Sequence, residues 1–248
     1  MELEIVCLLV AAAVFAGFVD AIAGGGGLLT LPALLMAGLP PAEAIATNKL
    51  QGTFGVAASS FAFWRAGHID FAELAPAVAA AAVGAILGSL AVQWSDPAWL
   101  RRAVPVILLV VAAYFAFAPQ LGSGDRKARL GRVAFALGAA LPIAAYDGFL
   151  GPGTGSMLLI AFIALYGADL MAAIAGTKLL NFTSNIVSLA VFAAMGNVNY
   201  RVGLAMAAGQ VLGAQLGARA AMVHGAPLIR PLVVVVSIAI AVSLILRG

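Results

Sequence analysis

The sequence predicts an all-α fold: a polytopic membrane helix bundle of two pseudo-symmetric, inverted repeats, each containing a short helix set off by a glycine break. Three observations predict it. Of 248 residues, 64% are hydrophobic and only 9% charged, whereas a soluble domain is about 45–50% apolar and about 25% charged. Polar residues recur at a nearly constant spacing. Asp147 follows Asp20 by 127 positions (147 − 20), and Lys178 follows Lys49 by 129 (178 − 49), as do Gly196 after Gly67, Gly213 after Gly84, Gly217 after Gly88 and Arg230 after Arg101. Finally, two glycine-rich runs interrupt the apolar sequence, Gly24-Gly25-Gly26-Gly27 and Gly151-Pro152-Gly153-Thr154-Gly155-Ser156. Self-similarity over so long a period marks a duplicated unit.

The expected organisation is a first membrane repeat over 1–119, a basic linker over 120–132 and a second repeat over 133–248. Five apolar segments fall in each half, at about 3–23, 27–39, 42–64, 73–94 and 101–118, then about 131–150, 154–167, 169–194, 201–223 and 227–246. A spanning helix needs about 20 apolar residues, so 27–39 and 154–167 are too short to cross unaided and read as half-helices or re-entrant segments. Residues 3–23 resemble a signal peptide, with Ala21-Ile22-Ala23 as a cleavage-like triplet. The leading charges are Glu2 and Glu4, the wrong sign for that role, so a retained helix is expected.

Orientation follows from charge. The linker carries Asp125, Arg126, Lys127, Arg129 and Arg132, and its basic excess places it in the cytoplasm. The acidic N-terminus then lies outside. Those placements require an odd number of crossings per half, which inverts one repeat relative to the other, as in many secondary transporters. Arg101 and Arg102 run against this assignment. Trp64, Trp94, Trp99, Tyr166 and Tyr200 sit near segment ends, where interface aromatics belong. Arg101 and Arg230 read as snorkelling side chains, and His68 as a loop residue. The net charge of +3 reflects the loops, and no nucleic-acid partner is expected. Cys7 is the only cysteine. No spacing matches a metal site, haem site or P-loop, so no cofactor, metal or catalytic residue is expected.

The residues that carry chemistry are those that apolar packing does not explain. A lysine at a helix centre in a bilayer costs roughly 2.5–3.5 kcal/mol, and Lys49 and Lys178 carry that cost at matched positions. Together they suit an anion held between the halves. Glycine interrupts a helix at about 1 kcal/mol per residue relative to alanine, and the backbone groups it frees need protein or water as partners. The helix beginning after each break would turn N–H groups toward a cavity, an arrangement that binds anions. Close helix packing is the alternative reason for the glycines. In 169–194, Thr177, Asn181, Ser184, Asn185 and Ser188 form one stripe. The matching face in the first half, Asn48, Gly52, Gly55, Val56 and Ser59, is less polar, with Thr47 and Gln51 beside it. Hydrogen bonding between helices is the alternative for the hydroxyls. Candidate substrate-binding residues are therefore Lys49, Lys178, Asn48, Thr47, Gln51, Thr177, Asn181, Asn185, Gly25, Gly26, Gly27, Gly153, Thr154, Gly155 and Ser156. Asp20 and Asp147 each precede a break by four residues. Three roles suit them: pairing with the lysine of their own half, capping the broken helix, or carrying a coupling proton.

These residues resemble a known family. The run Gly17-Phe18-Val19-Asp20-Ala21-Ile22-Ala23-Gly24-Gly25-Gly26-Gly27, followed by Pro32, Ala46-Thr47-Asn48-Lys49-Leu50-Gln51-Gly52 and Gly67-His68-Ile69-Asp70, is similar to the first signature of the TauE/SafE family. Tyr146-Asp147-Gly148-Phe149-Leu150-Gly151-Pro152-Gly153-Thr154-Gly155-Ser156 and Thr177 to Asn185 resemble its second. The resemblance covers nearly the whole chain. It implies a multi-pass carrier in the bacterial inner (cytoplasmic) membrane that exports small sulfur-containing anions, sulfite or organosulfonates such as sulfoacetate. A homodimer is the usual expectation for such carriers. An anion channel with the same lining is the alternative. A membrane enzyme is not expected, because no intramembrane Ser–His or metal-ligand set exists and Gly153-Thr154-Gly155-Ser156 is not a Gly-x-Ser-x-Gly elbow.

Overall fold

A computed structural model of the chain describes residues 3–100, 102–104, 106–107, 110 and 129–224. Most of the expected segment at 101–118, all of that at 227–246, most of the linker, Arg101 and Arg230 lie outside these residues. All regular structure among the described residues is helical. The helices are α1 (Leu3–Ala23), α2 (Gly27–Met36), α3 (Pro41–Arg65), α4 (Phe71–Gln93), α5 (Arg132–Phe135), α6 (Leu141–Phe149), α7 (Thr154–Ala161), α8 (Leu170–Ala194) and α9 (Tyr200–His224). The expected boundaries match these within a few residues. The segment expected at 131–150 is one rod with a π-helical turn at Ala136–Ala140 between α5 and α6. Pro142 follows that turn and lacks the N–H that would reach back to the carbonyl of Gly138, a recognised cause of such a defect.

Local signals account for the helix limits. Asp70 caps α4 by accepting from the N–H of Glu73 at 3.0 Å, and Asp169 caps α8 through Met171 and Ala172 at 2.9 Å each. Pro41 opens α3 at a position where a missing N–H costs nothing. Gly67 and Gly196 terminate α3 and α8 with φ of 78° and 75°. That left-handed geometry suits glycine. The helix α2 is 10 residues long, so at about 1.5 Å per residue it reaches about halfway through a bilayer core. Leu3–Ile22 and Phe71–Gln93 are long and apolar enough to cross a membrane. Helices α3, α8 and α9 have 25 residues each and bury polar side chains among themselves.

Two close helix pairs organise the bundle, α1 with α9 and α4 with α6. Both pairs run parallel. Gly209, Gly213 and Gly217 of α9 lie against Val10, Val14 and Phe18 of α1 in that order. Gly84 and Gly88 of α4 lie against Leu141 and Ala145 of α6, and Gly148 returns the contact to Ala85 and Ser89. A Cβ at any of these glycines would overlap the facing helix, so the small residues set the helix separation. At one end of the bundle Asn199 reaches the start of α3, its N–H to Thr47 Oγ1 (3.1 Å) and its amide to Glu43 (2.9 Å), while Asn197 donates to Gln93 at 2.7 Å. At the other end the Tyr166 hydroxyl donates to Glu73 at 2.7 Å, and Arg132 lies 3.7 Å from the same carboxylate. Helices α3 and α8 therefore run in opposite directions between these ends. Trp64, Trp94, Trp99 and Tyr200 are exposed near helix ends.

The apolar interior forms two clusters. One gathers Phe63, Phe135, Phe162 and Ile174; the other gathers Leu31, Ile45, Phe192 and Met206. Along α3 and α8 the buried polar positions fall between the stretches that supply these clusters. A polar layer in mid-bundle is the result.

Candidate functional site

The two glycine breaks touch. A Cβ added to Gly155 would stand 2.7 Å from Gly24 Cα, and one on Gly24 would stand 2.6 Å from the nitrogen of Ser156. Gly24 has φ 70°, so both its conformation and its contact exclude a side chain. The Ser156 hydroxyl donates to the Gly24 carbonyl at 2.7 Å. The second break thus supplies part of the backbone satisfaction that the first needs.

Both lysines are 1% exposed, and each is paired with an aspartate. Lys49 Nζ lies 2.8 Å from Asp147 Oδ1. Lys178 Nζ lies 3.2 Å from Asp20 Oδ2 and also donates to the main-chain carbonyl of Asp20. Pairing within a half, one of the three roles open to the aspartates, is thereby corrected. Each lysine reaches the aspartate of the other half, because α1 and α6 are carried across the bundle by their partners α9 and α4. Capping holds for one aspartate. Asp20 Oδ1 accepts from the N–H groups of Gly25 and Gly26 at 3.0 Å each. The N–H groups expected to face a guest at the first break are thus engaged by the protein's own carboxylate. Asp147 is held by side chains instead. Its Oδ2 accepts from the Ser184 hydroxyl and from Asn185 Nδ2 at 3.3 Å.

A small cavity opens between the breaks, α3, α8 and α9. It has about 30 Å³ available to the centres of water-sized molecules, room for roughly two waters. Of the expected site residues, Lys49, Asn48, Gln51, Asn181, Asn185, Gly25, Gly27, Gly153 and Gly155 line it, as do Asp20 and Asp147. Lys178, Thr47, Thr177, Gly26, Thr154 and Ser156 do not. Thr47 and Gly26 are used in the hydrogen bonds given above, Thr154 donates to the Gly151 carbonyl at 2.7 Å, and the buried Thr177 hydroxyl has no partner among the described residues.

Two amides are aimed by their neighbours. Asn48 Oδ1 accepts from Thr30 Oγ1 at 2.6 Å and from Gln51 Nε2 at 2.8 Å. Asn181 Oδ1 accepts from Asn185 Nδ2 at 2.9 Å. Both residues line the cavity, and the NH₂ groups of Asn48 and Asn181 lie 3.6 Å from where a Cβ would stand on Gly27 and on Gly155, respectively. Two amide donors and the Lys49 ammonium form a set that suits a small oxyanion.

Gln210 also lines the cavity and was not anticipated. It is 3% exposed, with Oε1 unpartnered among the described residues. Its side chain fills the space a Cβ on Gly55 would need. A glutamine in the apolar run 201–223, which holds only Gln210 and Gln215, was the available signal. Among the described residues Ser59 donates only to Gly55 and Val56 of its own helix, at 3.3 and 3.2 Å, so this hydroxyl does not form the bond between helices weighed as its alternative role.

Similarity to known proteins agrees with this architecture. The family model for sulfite exporter TauE/SafE matches residues 9–244. The chain is 42% identical over 245 residues to "Probable membrane transporter protein ORF9" of Sinorhizobium sp, covering 99% of this chain and 94% of the relative. It is 43% identical over 235 residues to a "Probable membrane transporter protein" of Haemophilus influenzae, covering 95% and 92%. It is 42% identical over 233 residues to "Probable membrane transporter protein YfcA" of Escherichia coli K12, covering 94% and 87%. No solved structure matches it. The chain belongs to the TauE/SafE sulfite exporter family.

Proposed function

We propose that this protein is a secondary transporter that carries small sulfur-containing anions, sulfite or organosulfonates such as sulfoacetate, across the cytoplasmic membrane by alternating access. One observation carries the reading. The buried Lys49 ammonium and the amide groups of Asn48 and Asn181 share a cavity bounded by two abutting glycine breaks. A cation buried in lipid-embedded protein demands a counter-ion. Asp147 serves when the site is empty, and the transported anion takes its place. The cavity is small, so this conformation corresponds to a closed, unloaded stage, and a guest requires the breaks to separate.

The halves act as inverted repeats in this proposal. The parallel pairs α1–α9 and α4–α6, and the opposed directions of α3 and α8, support that arrangement. Rocking of one half against the other would then expose the same cavity to each side in turn. Asp147 carries the coupling proton. An anion takes over Lys49 most readily once Asp147 is neutralised, so proton and anion travel together, and the combined gradients set the direction.

Proteoliposomes test this. Labelled sulfite inside should exchange faster when unlabelled sulfite is present outside, and an imposed pH gradient should drive accumulation. Unitary currents without counterflow would identify a channel instead. Accumulation that still follows the pH gradient after Asp20→Asn and Asp147→Asn are combined would remove the proton role.

A further inference from the structure

We propose that the two buried ion pairs divide the work: Lys49–Asp147 is the pair that opens to admit the anion, and Lys178–Asp20 is a fixed strut that binds the first glycine break to α8. The inference rests on the anion reading above and deepens it.

Near-symmetry makes the differences informative. In the first half, the residues five and six after Asp20 are Gly25 and Gly26, and both donate backbone N–H groups to Asp20 Oδ1. In the second half, the residue five after Asp147 is Pro152. Proline has no N–H to give, so the same cap cannot form. Asp147 is held by the hydroxyl of Ser184 and the amide of Asn185 instead. Their matched positions in the first half, 129 earlier (184 − 129 and 185 − 129), are Gly55 and Val56, which offer no side-chain donor. One aspartate is therefore fastened to main chain and the other to side chains.

The lysines differ in the same sense. Lys178 holds the Asp20 main-chain carbonyl as well as its carboxylate and does not line the cavity. The carbonyl belongs to the last turn of α1 and also accepts from the Gly24 N–H at 2.9 Å, so the ammonium adds a second bond to a main-chain acceptor. No incoming anion can replace a backbone carbonyl. Lys49 lines the cavity, and Asp147 is its side-chain partner. Its remaining N–H groups are available to a guest. When Lys49 turns away, Asp147 keeps two donors, so the exchange strands no bare carboxylate.

Sulfite and methanesulfonate binding to the purified full chain in lipid nanodiscs tests the division. Asp147→Asn removes the competitor for Lys49 and should tighten both anions at least tenfold. Asp20→Asn keeps the acceptor oxygen for Gly25 and Gly26 and should change affinity less than threefold. Equal shifts in the two variants, or weakening by Asp147→Asn, would overturn the division. Absence of binding to wild type and to Asp147→Asn would instead overturn the anion reading. A ligand-free readout stands apart from both. The double variant Lys178→Met/Asp20→Asn should melt at least 5 °C below Lys49→Met/Asp147→Asn, and equal melting temperatures would remove the strut.

Discussion

The two glycine breaks begin from matched aspartates and end in different chemistry. The first, Gly24 to Gly27, turns its own N–H groups onto Asp20. The second replaces one of those N–H groups with Pro152 and leaves Asp147 to be caught by Ser184 and Asn185 on α8. In the proposed transporter the two halves share a similar sequence plan, but the site needs one element that holds and one that lets go. The substitutions that separate the halves fall where that distinction is made. Gly52, Gly55 and Val56 on α3 stand where α8 carries Asn181, Ser184 and Asn185, and the space left at Gly55 is filled by Gln210 from α9.

The comparison is broken most directly at Lys49. Lys49→Met leaves Asp147 buried without its cation, at a cost of about 3–5 kcal/mol, and removes the charge that attracts the guest. Sulfite counterflow should fall at least a hundredfold in reconstituted vesicles, and near-normal flux would refute the role. Next comes the contact between the breaks. Gly24→Ala forces a Cβ onto the main chain of Gly155 and Ser156 at positive φ, which should cost at least about 2 kcal/mol. Gly27→Ala meets Pro152 Cα at 3.3 Å and should cost less than about 1 kcal/mol. Comparable melting temperatures for the two would show that the breaks do not abut.

The asymmetry between α3 and α8 can be sharpened at two hydroxyls. Ser184→Ala removes a donor to a buried carboxylate and should destabilise by about 1.5–3 kcal/mol. Ser59→Ala removes only bonds within its own helix and should stay within about 0.5 kcal/mol. Parity between them in denaturant titrations would contradict the network around Asp147. The last test is a coupling. Gly55→Ala should destabilise by about 1–3 kcal/mol through overlap with Gln210, and Gln210→Ala in the same chain should recover at least half of that loss. Additive losses would mean that the two side chains do not share the space.

Much of this was legible beforehand, and the legible parts share a physical basis. Composition and segment length report burial in lipid. Recurring spacing leads to the proposed pair of repeats. The cost of a charge in an apolar helix marks Lys49, Lys178, Asp20 and Asp147 without reference to their neighbours. The stripe on α8 follows from helical period, and three of its five members, Asn181, Ser184 and Asn185, line the cavity or bond to Asp147. Gln210 was missed because the other amide of α9, Gln215, does not share its face at a spacing of three or four, and its matched position in the first half is Ala81. The loss of Lys178 from the cavity was also not readable, since Lys49 and Lys178 stand in nearly the same local sequence.

What the sequence determined by itself is therefore the membrane-type helical chain, its two breaks and the four charges that need an explanation, because each follows from local chemistry and spacing. Which aspartate meets which lysine was decided only in three dimensions. Glycine faces on α4 and α9 draw α6 and α1 across the bundle, and close packing of that kind fixes partners far apart in sequence. The same crossing brings Gly24 against Gly155 and turns two lysines of similar local sequence into one that faces the cavity and one that holds a main-chain carbonyl.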